Sequence, residues 1–196
     1  MSPVARPFLH VIRCARVDED SLITLRANAP SFGFLPGERE IILARMAVAP
    51  FSTGPRTALD FDVDGEPDPR TPGRYLAPGD RLTSLEAHLV KRVAGGEWRP
   101  ETTPEEYLED LHASAGHPTA RLFVGLEDGR PLAATLTDLG AGGIVLPRIV
   151  PAGRPSCVLV LYNAKASRLI TGYVVESANA HGRFKRWKPK HVVRAP

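Results

Sequence analysis

The sequence predicts an α+β protein with an N-terminal strand-rich lobe, a proline-rich connection, then two helices followed by an antiparallel β-sheet. Three observations carry this prediction. Thr83–Glu86 and Thr103–Glu106 are capping boxes, each opening a stretch of helix formers. Apolar, β-branched runs fill most of residues 119–175, broken by turn residues such as Asp128-Gly129. Nineteen prolines and 17 glycines among 196 residues, against roughly 12% in average proteins, require many turns and short elements.

In chain order, residues 8–13 and 21–26 are apolar and β-branched, flanked by Asp18–Asp20 and Asn28–Pro30, and read as strands. Residues 38–48 hold good helix formers around an Ile41–Leu43 run that also suits a buried strand, and so short a stretch leaves both open. Residues 1–49 therefore read as a strand-rich lobe to which no role is assigned. Residues 50–79 carry Pro50, Pro55, Pro67, Pro69, Pro72 and Pro78. Proline restricts its own residue and the one before it, so no long helix fits, and the stretch reads as an irregular connection.

The helix opened by Thr83 carries a stripe of Leu82, Leu85, Leu89 and Val93 and stops at Gly95-Gly96. The helix opened by Thr103 has Pro104 at its first position, turns Leu108 and Leu111 inward and ends near Gly116. Strands are expected over 119–127 and 131–137, joined by the Asp128-Gly129 hairpin, and over 144–150, 156–162 and 168–175. The run Cys157 to Tyr162 has the continuous apolar character of a central strand. Residues 80–180 thus form one α+β unit, followed by a basic tail, 181–196.

A chain of this length can bury roughly 70% of its unfolded surface and needs neither disulfide nor metal to fold. Hydrophobic residues at 43% and charged residues at 24% rule out wholesale disorder. The net charge of +3 is unevenly distributed. The tail holds Arg183, Lys185, Arg186, Lys188, Lys190 and Arg194 and no acid; without these six, the 25 basic residues fall to 19 against 22 acids. A mildly acidic body with a basic end is a footprint of polyanion binding and equally a way to keep a terminus soluble. The cysteines, Cys14 and Cys157, form no CxxC pattern, and their pairing is not legible. No apolar run of 18 residues or signal-peptide core is present, so a reduced, cytoplasmic protein with no membrane partner is expected.

Several chemistries lose their support. Asp60, Asp62, Asp64 and Gly65 open like a calcium loop, but Thr71 stands where the bidentate Glu belongs and Pro67 and Pro69 interrupt the curl. An edge strand with its acids in water is the plainer reading. The histidines form no zinc motif; His112 is expected on a solvent face or helix end. Gly140, Gly142 and Gly143 lack the third glycine of a dinucleotide fingerprint, and no phosphate-binding loop or nucleophile elbow occurs. No cofactor and no metal is expected.

His88 remains. At helical spacing it shares a face with Arg92, four residues on, with Lys91 adjoining and Ser84 one turn before. The Leu85–Leu89–Val93 stripe is rotated one position away, which sets His88 at the rim of the core. Taken alone, the cluster reads as a solvated helix end whose cations oppose the macrodipole. The order of elements adds to it: a His-xxx-Arg helix, a glycine break, a Thr-Pro-Glu-Glu-Tyr helix, antiparallel strands, and a closing strand Arg168-Leu-Ile-Thr171-Gly-Tyr173. This resembles the barnase/EndoU/colicin/RelE-like ribonuclease superfamily, especially its phage- and toxin-associated branches, over about residues 80–180.

The resemblance implies a metal-independent ribonuclease in which the RNA 2′-hydroxyl attacks the adjacent phosphorus. It carries His88 over as general acid or base, Arg92 as a phosphate-binding cation, Thr171 as a hydroxyl that orients phosphate, and Tyr173 as a residue that bonds or stacks on a base. Lys91 and Arg168 are further candidate cations, and the proton donor is unassigned. RNA is the implied partner, with a cognate inhibitor protein. Thr171 and Tyr173 are also ordinary strand formers. The tail interleaves Phe184 and Trp187 with Arg183, Lys185, Arg186, Lys188 and Lys190, a pairing that suits bases and phosphates. It supports a second expectation, a non-catalytic nucleic-acid-binding module that works through the tail.

Overall fold

A computed structural model of the chain describes residues 22–24, 37–180 and 190–193. Residues 22–24 are helical, in place of the strand expected over 21–26. Leu22 and Ile23 are consecutive and both enter the main core, which a strand with one solvated face would not allow. The expected strand over 8–13 lies outside the described residues. Glu38–Met46 is a helix, α1, with Glu38 and Glu40 in its first turn and Arg45 in its last, the charge order the helix dipole favours. Ile42, Leu43 and Met46 are buried. The Arg39 guanidinium ties α1 to the body by donating to the carbonyls of Ala120 (2.6 Å) and Pro118 (3.1 Å).

The proline-rich stretch builds a small packed unit. Strand β1, Arg56–Thr57, pairs antiparallel with β2, Arg81–Leu82, and encloses a four-residue helix α2, Ala58–Phe61. Thr57 and Asp60 cap α2 reciprocally. Ala58, Val63, Leu76 and Leu82 bury one another. The buried Asp68 carboxylate gathers Arg70 (2.8 Å) and Arg74 (3.2 Å). The edge-strand reading of Asp60–Asp64 is thereby corrected: Asp60 is spent on the cap, and Asp62 ends the helix in the left-handed region at φ 57°.

Helix α3, Ser84–Ala94, and helix α4, Pro104–Ala115, begin at their capping boxes, with Thr83 and Thr103 as N-caps. Helix α3 packs on two sides. Ala87 and Val90 close the proline-rich unit, while Leu85, Leu89 and Val93 lie on the main core. That second contact is why its buried face is wider than the leucine stripe. On α4, Tyr107, Leu111 and Ala115 are fully buried, and Leu108 is half-buried.

Four strands follow as an antiparallel meander: β3 Arg121–Glu127, β4 Arg130–Asp138, β5 Ser156–Asn163 and β6 Arg168–Glu176. Asp128 and Gly129 form the β3–β4 turn with positive φ at both, as a type I′ hairpin requires. The expected strand over 144–150 is absent. Residues 139–155 make only single bridges, Leu139 to Ile144 and Ile149 to Trp98; Pro147, in the middle of the expected strand, has no N–H to give to a ladder. A short strand β7, Lys190–Val193, pairs with β3 and completes the order β6-β5-β4-β3-β7. This part of the expected tail is built into the sheet.

Both sheet faces are buried. Leu122, Val124, Ala133, Val158 and Val160 meet the helices. Phe123, Leu132, Ala134, Leu136 and Leu159 form a second cluster with Cys157 on the opposite face. Strands buried on both faces read as unbroken apolar runs. No helix among the described residues is long and apolar enough to cross a membrane.

Candidate active site

The site lies where α3 meets β6, the edge strand of the sheet. Its placement depends on an irregularity in β6. Leu161 pairs with Thr171, and the next residue, Tyr162, pairs with Leu169, leaving Ile170 as an extra residue. Leu169 and Gly172 both face the helices although three positions apart, which strict alternation forbids. At this kink the Thr171 hydroxyl reaches α3, and its Oγ1 lies 3.1 Å from His88 Nδ1. Behind this contact, helix α4 and β6 approach closely because Gly172 has no side chain; a Cβ there would overlap the Leu111 methyls. The Tyr107 hydroxyl donates to the Gly172 carbonyl at 2.7 Å and fixes the strand against α4.

His88 is half-buried. The Phe51 and Phe61 rings stand edge-on to its imidazole, with centroids 5.4 and 5.7 Å away. Burial, assisted by the charges of Arg92 and Lys91, pushes its pKa down to about 4, so His88 is neutral at neutral pH. With Nδ1 engaged by Thr171, Nε2 is the nitrogen left for other chemistry.

Arg92 lies one turn on. Its guanidinium stacks over the Tyr173 ring, 5.1 Å from the centroid, and pairs with Glu97 Oε1 at 3.0 Å. Glu97 Oε2 accepts the Val174 N–H at 2.6 Å, so one carboxylate holds both Arg92 and the outer edge of β6. The other end of that edge is covered by residues 50–52: the Leu169 N–H donates to the Pro50 carbonyl (2.9 Å) and the Ser52 N–H to the Leu169 carbonyl (2.8 Å). Arg168 stands at the margin and donates to the Phe51 carbonyl at 3.1 Å. Lys91 is exposed.

His88, Arg92, Thr171 and Tyr173 thus form one contiguous patch, flanked by Lys91 and Arg168. Arg183, Phe184, Lys185, Arg186, Trp187 and Lys188 lie outside the described residues. The backbone of Lys190 pairs with Gly125, at the sheet edge opposite Thr171. Two grooves of about 460 and 390 Å³ lie away from the patch, one between residues 66–73 and the Leu89–Ala94 end of α3, the other around residues 139–156.

Three contributors were not legible in sequence. Phe51 and Phe61 come from the proline-rich stretch, whose composition marks turns and not a site wall. Glu97 is five residues from Arg92, outside helical spacing, and returns to it only because the chain reverses at Gly96, φ 68°. The Gly95-Gly96 stop was the one sequence signal that pointed to it.

Other candidates have structural partners. His112 lies in the last turn of α4, at the helix end, one of its two expected places; it is half-buried, with Nε2 2.8 Å from the Ala49 carbonyl just beyond α1. His117 contacts Thr119 at 2.8 Å. Gly140 and Gly142 take positive φ in the tight turn after β4. Cys157 is a buried thiol pushed up to about 11 by burial, which leaves it unreactive; Cys14 lies outside the described residues. Among the described residues no three His, Cys, Asp or Glu side chains gather as metal ligands. Comparison with models of known families, with curated proteins and with solved structures gave no match.

Proposed function

We propose that the protein is a metal-independent endoribonuclease whose active site is the α3–β6 patch. The observation that carries this reading is the 3.1 Å approach of His88 Nδ1 to Thr171 Oγ1. It joins two elements 83 residues apart in the chain and sets a proton acceptor beside Arg92 and Tyr173. In the tautomer that donates Nδ1–H to Thr171, Nε2 carries a free lone pair and takes the proton from the RNA 2′-hydroxyl. The 2′-oxygen then attacks the adjacent phosphorus, a cyclic phosphate forms, and the bond to the 5′-oxygen breaks. Arg92 and Lys91 stabilise the charge that grows on the phosphoryl oxygens. Thr171 acts as a positioning residue, because its oxygen favours the imidazolium once formed. Phosphate bound at Arg92 and Lys91 offsets two of the charges that depress the His88 pKa, so substrate itself strengthens the base.

Both Glu97 oxygens are occupied by Arg92 and Val174. The departing 5′-oxygen therefore takes its proton from the His88 imidazolium or from water. The same reading places the protein in the cytoplasm, in a phage or toxin setting, with a cognate inhibitor protein as partner. A second reading, a nucleic-acid-binding module without catalysis, rests on the basic tail, where Arg183, Lys185, Arg186 and Lys188 alternate with Phe184 and Trp187. Incubating RNA with the purified full chain in EDTA separates the two. Cleavage that disappears in His88→Ala supports the nuclease. Retardation of RNA in a gel without cleavage supports the binding module.

A further inference from the structure

We propose that the groove between the proline-rich unit and the C-terminal end of α3 is a binding site for a small aliphatic amine. The groove shares helix α3 with the His88 patch but none of its side chains, so this site stands or falls apart from the ribonuclease reading. Its volume is about 460 Å³, within the size range of small-molecule sites. Leu89, Val90 and Val93 of α3 line it together with Pro67, Pro69 and Pro100. Such a wall takes methylene groups out of water favourably. Proline has no N–H, so three of these residues offer an anion no backbone donor.

Charge selects the head group. The described residues that line the groove include three acids, Glu66, Asp68 and Glu101, and no Lys, Arg or His. Asp68 is already engaged by Arg70 and Arg74, and Glu101 lies 4.0 Å from Arg99 in an exposed pair. Glu66 is half-buried, and its carboxylate has no hydrogen bond or ion pair among the described residues. Thr102 supplies a second unused group: it is 4% exposed, lines the groove, and its Oγ1 has no hydrogen-bond partner. A buried hydroxyl left unpaired costs stability, and few proteins leave one so without a reason. An ammonium has three donors and no acceptor. It can donate to the Glu66 carboxylate and to the Thr102 oxygen, while its alkyl chain lies on the leucine, valines and prolines. A carboxylate or phosphate would meet like charge here.

Hexylamine, hexanol and hexanoate share one apolar body and differ in charge, so together they separate the head group from burial. Each is titrated into the isotope-labelled full chain and followed by amide NMR. Hexylamine is expected to shift the amides of residues 66–73, 89–94 and 100–103 saturably. Hexanol should bind about tenfold more weakly, the worth of a charged hydrogen bond, and hexanoate more weakly still. Glu66→Gln should weaken hexylamine about tenfold and leave hexanol unchanged. Thr102→Val should weaken hexylamine several-fold without lowering the thermal midpoint, because it removes an unpaired hydroxyl. It carries the test even if Glu66→Gln fails to fold. Equal binding of hexylamine and hexanol overturns the amine site, as does unchanged hexylamine binding in the folded variants. An absence of shifts in the groove overturns it too. If a peptide of residues 181–189, basic and aromatic, shifts those amides where hexylamine does not, the groove docks peptide and the small-molecule site is wrong.

Discussion

His88 links the chemistry of the patch to the stability of the fold through its pKa. A group with a pKa of about 4 in the native state and about 6.5 when unfolded binds more protons unfolded between those values. Stability therefore falls as pH drops from 6.5 to 4 and changes no further from this source below 4. The full loss is on the order of 3 kcal/mol, and His88→Gln should remove it. Urea midpoints at pH 7 and pH 4.5, for parent and variant, check this; equal losses in the two proteins would place the acid sensitivity elsewhere. The same pKa governs catalysis. The kcat/KM of the free enzyme should hold down to about pH 5 and fall through 4, not through 6–7 as for a solvated histidine. His88→Ala should lower cleavage by about 10²–10⁴-fold. Thr171→Val keeps the shape but removes the oxygen that faces Nδ1, and should lower kcat while leaving KM nearly unchanged.

At the scale of elements, the α3–β6 junction depends on the close packing of α4 against β6 behind it. Gly172→Ala should destabilise the protein by about 1–3 kcal/mol, the usual cost of overpacking a core, because the added methyl overlaps Leu111. In Leu111→Ala the same substitution should cost much less, since the leucine methyls are then gone. Thermal melts of the four proteins measure this coupling, and equal costs in both backgrounds would show that the strand shifts freely. A second element-scale dependence involves Asp110, which is buried, accepts the Trp98 indole N–H at 2.9 Å and holds Arg148 at 2.7 Å. Asp110→Ala strands a partly buried guanidinium and an indole donor. A loss of about 3–5 kcal/mol is expected, visible as a lowered urea midpoint.

At the scale of the whole molecule, the basic tail is joined to the sheet through β7. Deleting residues 181–196 would remove that strand and expose the edge of β3, a template for aggregation, so deletion cannot isolate the effect of charge. Replacing Arg183, Lys185, Arg186 and Lys188 with Gln leaves residues 190–193 in place. If these residues meet phosphates, the slope of log K against log salt should become shallower by about 0.7 for each phosphate of a single strand that the variant no longer neutralises. An unchanged slope in an anisotropy titration would assign all phosphate binding to the patch around Arg92.

The sequence by itself determined what local chemistry controls. Thr83 and Thr103 cap helices because each satisfies a backbone donor three residues on, and Asp128-Gly129 turns the hairpin because both residues tolerate positive φ. The spacing of His88 and Arg92 placed them on one helix face, and the apolar runs of β3, β5 and β6 specified strands. Tertiary structure decided whatever depends on partners distant in the chain. Residues 22–24 became helical because burial of both Leu22 and Ile23 outweighs short-range preference. The meeting of His88 with Thr171 needed the extra residue at Ile170 and the missing side chain at Gly172. The aromatic walls came from a stretch whose prolines announce turns without saying where those turns lead. Local propensity is set within a few residues, whereas a site assembled from residues 51, 61, 88, 92, 97 and 171 exists only once the chain has packed.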